Sequence, residues 1–110
     1  MYEIKRHTRE VSGVQIETFS REIWSNASVE VEAGTNGYKG GDFGHGSRTY
    51  FRIQNLTSAD LQVNVINPGG AYSSDGGVEV ILGGDDELCT IIEALEFILQ
   101  ALKDQRSEVE

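Results

Sequence analysis

The sequence predicts an α+β fold, a small antiparallel β-sheet with a long C-terminal α-helix packed on one face. Three observations predict it. Segments that alternate apolar and polar side chains fill much of the chain before residue 84. Tight Gly-rich turns separate them, and twelve of the thirteen glycines lie between Gly34 and Gly84. From Asp85 onward the apolar period becomes helical, and strands followed by one helix are typical of this class.

Five segments have the period of two that is typical of half-buried strands. In residues 28–33, for example, Val29 and Val31 share one face while Glu30 and Glu32 share the other. The intervening stretch 20–27 is ambiguous, since it could form a helical turn, a bulge or another strand. The predicted strands cover residues 13–19, 28–33, 48–54, 60–66 and 78–82.

The strand 48–54 is the most amphipathic of the five. Thr49, Phe51 and Ile53 share one face. The opposite face carries Arg48, Tyr50, Arg52 and Gln54.

The long helix is predicted to cover residues 85–106, with Asp85 as the N-cap and a frayed tail at 107–110. Its apolar residues recur at i, i+3, i+4 and i+7, so one stripe is expected to pack on the sheet. A second face carries Ala94, Phe97 and Ala101, with Phe97 either exposed alone or, as we prefer, part of an interface with another subunit. The stripe consists of Leu88, Ile91, Ile92, Leu95, Ile98, Leu99 and Leu102.

Composition restricts the class of protein. A single domain spanning residues 1–110 is expected, and the net charge of −9 disfavours polymeric DNA or RNA and anionic membranes as partners. One cysteine and two histidines exclude an intramolecular disulfide and a Cys/His zinc cluster, and no metal or cofactor is expected. No apolar run is long enough for a membrane span or a secretory signal, which favours a reducing cytoplasm.

Six glycines lie between Gly34 and Gly46, between two predicted strands. No helix follows them and no Gly-Lys-Ser/Thr ending is present, so a Rossmann turn and a P-loop are excluded. Two interpretations remain: an unusually loose hairpin, or a nest of backbone N–H groups that binds phosphate oxygens. The second Gly-Gly-Asp copy, at 83–85, precedes the helix and has either a structural or an anion-binding role.

Several residues near this loop could hold a nucleotide. Arg48, Tyr50 and Arg52 combine guanidinium groups for phosphate with a ring for a base. The alternative is that Glu30 and Glu32 pair with these arginines across the sheet. Asp42, His45 and Ser47 could form a catalytic relay, but local spacing is weak evidence and no enzyme activity is expected. The candidate loop and strand ligands are Asn36, Gly40, Gly41, Asp42, His45, Arg48, Tyr50 and Arg52.

Two stretches resemble the phage Thoeris anti-defence proteins of the first-described type: VEVEAGTNGYKGGDFGHGSRTYF, residues 29–51, and GGVEVILGGDDELCTIIEALEFILQAL, residues 76–102. That resemblance implies a non-enzymatic sponge in the host bacterial cytoplasm that sequesters cyclic ADP-ribose isomers and, in some members, cyclic oligonucleotides at separate sites. It also implies a homo-oligomer built from dimers, commonly a hexamer. The family's sites combine an aromatic residue with arginines near the C-terminal helices, which implies Arg106 and Thr90 as ligand contacts here.

The function predicted is therefore binding and depletion of a cyclic nucleotide immune signal, which prevents activation of a host defence effector. The first alternative is an acidic inhibitor that binds such an effector directly. The second is a small hydrolase that uses Asp42 and His45.

Overall fold

The computed structural model describes residues 3–24, 28–57, 63–64, 73–74 and 77–109. Its elements are β1 (Lys5–Val11), β2 (Val14–Trp24), β3 (Ser28–Thr35), β4 (Arg48–Thr57), β5 (Val63–Asn64), β6 (Ser73–Ser74), β7 (Gly77–Gly83) and α1 (Asp85–Val109). Five strands form an antiparallel sheet in the order β1-β2-β3-β4-β7, and β5 pairs with β6. The predicted α+β class is confirmed.

The observed elements differ from the predicted ones mainly at their ends. Residues 20–24 of the ambiguous stretch continue β2, while 25–27 lie outside the described residues. Of the predicted strand 60–66, residues 63–64 form β5 and the others lie outside the described residues. The helix extends to Val109, three residues beyond its predicted end at residue 106. Strand β1 was not predicted at all.

The hairpin of β1 and β2 lies against the polar face of β3 and β4. Its turn, where Ser12 has a φ of 47°, places the Ser12 carbonyl at 3.2 Å from Nη2 of Arg48 on β4. The core also lies on this side, since Val11 and Ile16 from the hairpin pack with Tyr50. The polar face of β4 is therefore covered by the protein's own N-terminal hairpin.

A glycine allows the hairpin to come this close. A Cβ atom at Gly34 of β3 would collide with the backbone carbonyl of Glu17 and lie 2.8 Å from the Cα and Cγ2 atoms of Thr18. Atoms in a folded interior do not approach this closely without displacement. Because Gly34 has no side chain, the part of β2 that follows the β1–β2 turn can pass close to β3.

A buried carboxylate connects the strands beneath the hairpin. Glu32 of β3 is 1% exposed and accepts two hydrogen bonds from Arg9 of β1, at 2.7 and 2.8 Å. Thr18 of β2 donates at 2.6 Å and Arg52 of β4 donates at 2.9 Å. Burial raises the pKa of Glu32, but the hydrogen bonds from Arg9, Thr18 and Arg52 outweigh it and lower the pKa to about 2.

The helix meets the opposite, apolar face of the sheet. Leu88 in its second turn is buried, and Leu95 lines an apolar groove of about 360 Å³ together with Phe19, Phe51 and Ile53. Beyond Leu95 the large apolar residues of α1 are mostly exposed. In the described part of the chain, no helix is long and apolar enough to cross a membrane.

We expect the Glu32 cluster to make stability depend on acid pH. Because the folded pKa of about 2 lies below the ordinary glutamate value of about 4.3, the unfolded chain takes up the proton first, and this group contributes about 3 kcal/mol. The contribution is complete above about pH 5 and is lost as the pH falls toward 2. Urea unfolding of the wild type should show this decrease.

Glu32→Gln should remove that pH dependence and lower the free energy of unfolding at pH 7 by about 3 kcal/mol, because Arg9 and Arg52 lose their buried anion. Glu10→Gln, on the exposed side of β1, is the matched control and should leave both quantities unchanged. An equal acid slope in Glu32→Gln and wild type would contradict the assignment.

Candidate ligand-binding loop

The glycine loop, residues 36–47, connects β3 to β4 and is closed at its base by Asn36. The Asn36 amide donates to the Gly46 carbonyl at 3.0 Å and accepts from the Arg48 backbone N–H at 2.8 Å. The Ser47 hydroxyl donates to the Gly37 carbonyl at 2.8 Å. These contacts fix the two ends of the loop, so Asn36 has a structural role here.

Asp85 fixes the middle of the loop. Its carboxylate accepts from the backbone N–H groups of Lys39 and Gly40, at 2.8 and 2.9 Å, and its own N–H donates to the Gly41 carbonyl at 2.8 Å. Gly40 has a φ of 104°, which favours glycine. Two consecutive N–H groups do bind an anion, as the nest interpretation predicts, but the anion in the structure is the protein's own carboxylate.

This contact changes the expected start of the helix. The carbonyl of Gly84 accepts the backbone N–H of Leu88 at 3.3 Å, so Gly84 occupies the N-cap position. The prediction that Asp85 is the N-cap is wrong, because its carboxylate binds the glycine loop instead. The second Gly-Gly-Asp copy thereby joins the helix to the first copy.

A short 3₁₀ turn, Phe43–His45, forms the outer part of the loop. The Asp42 carboxylate accepts from the Gly44 N–H and contacts His45 Nδ1, both at 3.1 Å. The hydrogen bond from His45, followed by that from Gly44, lowers the pKa of Asp42. A Cβ at Gly41 would lie 2.5 Å from the His45 ring, so Gly41 lets the imidazole lie against the loop backbone with Nε2 free of the Asp42 contact.

Arg48 has a structural role in the protomer. It is 5% exposed, and its guanidinium donates to the carbonyls of Ser12, Phe43 and Ser47. The guanidinium also lies 3.8 Å from the centre of the Phe43 ring. Arg48 therefore connects the hairpin turn to the glycine loop, and little of it is accessible to a ligand.

Tyr50 and Arg52 share the face of Arg48, as predicted, and are likewise held by the protein. Tyr50 is 2% exposed. The Arg9 guanidinium lies over the Tyr50 ring, 4.9 Å from the ring centre, and the Tyr50 hydroxyl donates to the Glu79 carboxylate at 2.6 Å. Burial and then the Glu79 hydrogen bond raise the pKa of Tyr50 to about 12.

Arg52 contacts Glu32 at 2.9 Å and Glu30 at 3.3 Å, and it also donates to Gln54. The interpretation of cross-strand Glu/Arg pairs is confirmed for this residue. Neither Tyr50 nor Arg52 lies with the glycine loop at the protein surface.

The two helix residues implied by the resemblance are far apart. Thr90 and Arg106 are both exposed on α1, and sixteen residues of α-helix separate their Cα atoms by about 24 Å. Thr90 lies next to Cys89, which contacts the glycine loop through Tyr38. A compact ligand at the loop can therefore reach the turn of Thr90 but not Arg106 of the same protomer.

The accessible side chains of the loop are Tyr38, Lys39, Asp42, Phe43 and His45. Tyr38 is 59% exposed and Phe43 52%. The Tyr38 hydroxyl lies 3.1 Å from Cys89 Sγ, and this hydrogen bond raises the pKa of Tyr38. Of these five residues Asp42 and His45 were among the candidate ligands. The signal for the other three is their position between glycines, where side chains on a tight loop are directed outward.

One catalytic arrangement that the sequence could allow is a relay of Asp42, His45 and Ser47. Ser47 is fully buried and its hydroxyl donates to Gly37, so this relay has no accessible serine nucleophile. Within the ranges that the structure describes, no group of three or more His, Cys, Asp or Glu residues could hold a metal ion. No protein-family model, curated protein or solved structure matches the chain.

Replacing Asp85 by Ala should loosen the glycine loop without unfolding the sheet. Two charge-assisted hydrogen bonds are lost at a partly exposed site, so we expect a decrease of about 1–2 kcal/mol in the free energy of unfolding. The amide protons of Lys39 and Gly40 should exchange at least tenfold faster, measured by NMR. Asp86→Ala, on the neighbouring exposed carboxylate, should leave the exchange unchanged and lower the free energy of unfolding by only about 0.5 kcal/mol, because it removes one charge from the helix N-terminus. Unaltered exchange in Asp85→Ala would show that the loop is held by other contacts.

Proposed function

We propose that the protein binds and sequesters a cyclic nucleotide signal, such as a cyclic ADP-ribose isomer, on the glycine loop and without a chemical step. The supporting observation is the loop itself, which Asn36 and Asp85 hold in one conformation while Tyr38, Lys39 and His45 remain exposed. In an infected bacterium, depletion of such a signal would keep a host defence effector inactive.

The exposed groups suit the parts of a nucleotide. The Tyr38 ring can stack on a base, and base–aromatic stacking contributes about 1–3 kcal/mol. The Lys39 ammonium can bind phosphate oxygens, and in the protonated form of His45 the Nε2–H can do so while Nδ1–H donates to Asp42. His45 lies against Gly41, two residues from Lys39, so both groups belong to one short segment. Lys39 supplies the positive charge of this segment, beside the carboxylates of Asp42 and Asp85, so a bound phosphate would have to contact the Lys39 ammonium directly.

The rigidity of the loop favours sequestration. A segment that is already ordered loses little conformational entropy on binding, which leaves more of the contact energy as affinity. Six glycines in a free hairpin would have the opposite effect. Depletion requires tight binding at a concentration comparable with that of the signal, and it requires no turnover.

A second candidate, an inhibitor that binds a host protein directly, is favoured by a different observation. The exposed apolar residues of α1 together with the acidic character of the chain could match a basic protein surface. The small-hydrolase alternative has less support, because the Ser47 hydroxyl that would complete a relay with Asp42 and His45 is buried.

The proposal is tested by titrating the purified protein with cyclic ADP-ribose isomers and cyclic dinucleotides in a calorimeter. Bound ligand is then released by heat and identified by chromatography. We expect saturable binding of at least one compound and recovery of that compound intact. Recovery of a linear product would favour the hydrolase, and no binding to any of them would contradict the proposal.

Substitutions locate the binding surface. Tyr38→Ala and Lys39→Ala should each weaken the affinity about tenfold or more, since each removes roughly 1.4 kcal/mol or more of contact energy. Lys5→Ala is the matched control for Lys39, because Lys5 is also an exposed lysine but lies on β1. Equal losses for Lys39→Ala and Lys5→Ala would indicate a nonspecific charge effect and not a site at the loop.

A further inference from the structure

Helix α1 keeps a continuous apolar surface uncovered. Five large aliphatic residues after its second turn are between 40% and 63% exposed. At 100° per residue they lie within an arc of about 120°, so they form one seam along the helix. This helix seam consists of Ile92, Leu95, Ile98, Leu99 and Leu102.

The seam differs from the interface that the sequence suggests. The apolar stripe was expected to pack on the sheet, with Ala94, Phe97 and Ala101 facing another subunit. In the structure the sheet buries Leu88 but leaves most of the stripe exposed. Phe97 is 72% exposed and lies about 160° around the helix from Leu95. The larger uncovered apolar surface is therefore the stripe itself.

The net charge of α1 changes along the helix axis. Residues 85–96 carry five acidic side chains and no basic one, whereas residues 97–109 carry two of each sign and have no net charge. Two parallel copies would place the acidic halves side by side, which is unfavourable. Two antiparallel copies place the two basic residues of each helix, Lys103 and Arg106, beside the acidic half of the other.

We propose that two copies of the chain associate through their helix seams in an antiparallel arrangement. With Leu95 opposite Leu102 of the partner subunit, the contact is centred between Ile98 and Leu99, and all five seam residues lie within the overlap. Lys103 then lies on the same side of the helix pair as Glu96 of the partner subunit. The two residues are about 3 Å apart along the helix axis, which is two residues of helical rise. The symmetry of the dimer forms this pair twice.

The exposed area is compatible with a specific dimer. The five seam residues expose roughly half of their surface, about 450 Å² per copy, so close packing buries roughly 900 Å² of apolar surface before flanking residues are counted. Specific interfaces begin near 1,000 Å² in total. The seam also contains no charged side chain, as is usual for the centre of an interface. A second copy therefore fits this surface in apolar character and charge, and it fits in size once flanking residues of α1 add about 100 Å² or more.

The mass in solution tests the dimer, and no nucleotide is added, so the result is independent of the proposed ligand. Light scattering after size-exclusion chromatography should give twice the 12.1 kDa mass of one chain, or a higher even multiple of it. Leu99→Glu should reduce the mass to that of the monomer, because it places a charged side chain at the centre of the apolar contact. Phe97→Glu, two residues away and also exposed, is the matched control and should keep the wild-type mass.

The orientation is tested by disulfide formation in a Cys89→Ser background. Leu99→Cys should cross-link readily, since the two copies of this position lie at nearly the same level. Ile92→Cys should cross-link at least tenfold less, because antiparallel helices separate its two copies by about 20 Å along the axis. Equal cross-linking at both positions would indicate a parallel pair. A monomeric wild type, or an unchanged mass in Leu99→Glu, would overturn the proposal.

Discussion

The buried carboxylate of Glu32 is the interaction on which the arrangement of the strands depends. An ionised group cannot remain inside a protein without partners, because the free-energy cost of removing it from water is several kcal/mol. Glu32 finds those partners on three other strands: Arg9 on β1, Thr18 on β2 and Arg52 on β4. These bonds hold the N-terminal hairpin over a face of the sheet that would otherwise be a solvated, charged surface.

Because the hairpin covers this face, residues that the sequence pattern groups with the glycine loop are removed from solvent. Arg48, Tyr50 and Arg52 alternate along one strand in the pattern of a nucleotide site, yet each is held beneath the hairpin by the protein's own groups. The glycine loop at the end of the same strand remains at the surface. Its side chains that face solvent, chiefly Tyr38, Lys39 and His45, are therefore better placed for a ligand than the arginines.

Much of the fold could be predicted, because the strands of the main sheet after β1 and the helix each have a regular apolar period. Strand β1 could not, since KRHTREV has only one apolar residue, and its contact with β3 is an ion pair between Arg9 and Glu32, which lie twenty-three positions apart in sequence. The same limit applies to the site. A group of backbone N–H donors at Lys39 and Gly40 can be anticipated from the glycines, but the identity of their partner depends on where Asp85 lies in three dimensions.

The contact of Asp85 with the glycine loop gives the first residue of α1 a second purpose. The helix is about 36 Å long, and its base is bonded to the loop while its far half has little contact with the sheet. Asp85 is therefore the point about which α1 would tilt relative to the glycine loop. A tilt of about 5° there moves the last turn by about 3 Å, by the geometry of a rod of that length. Such a tilt would also alter the hydrogen bonds by which Asp85 holds Lys39 and Gly40 of the loop.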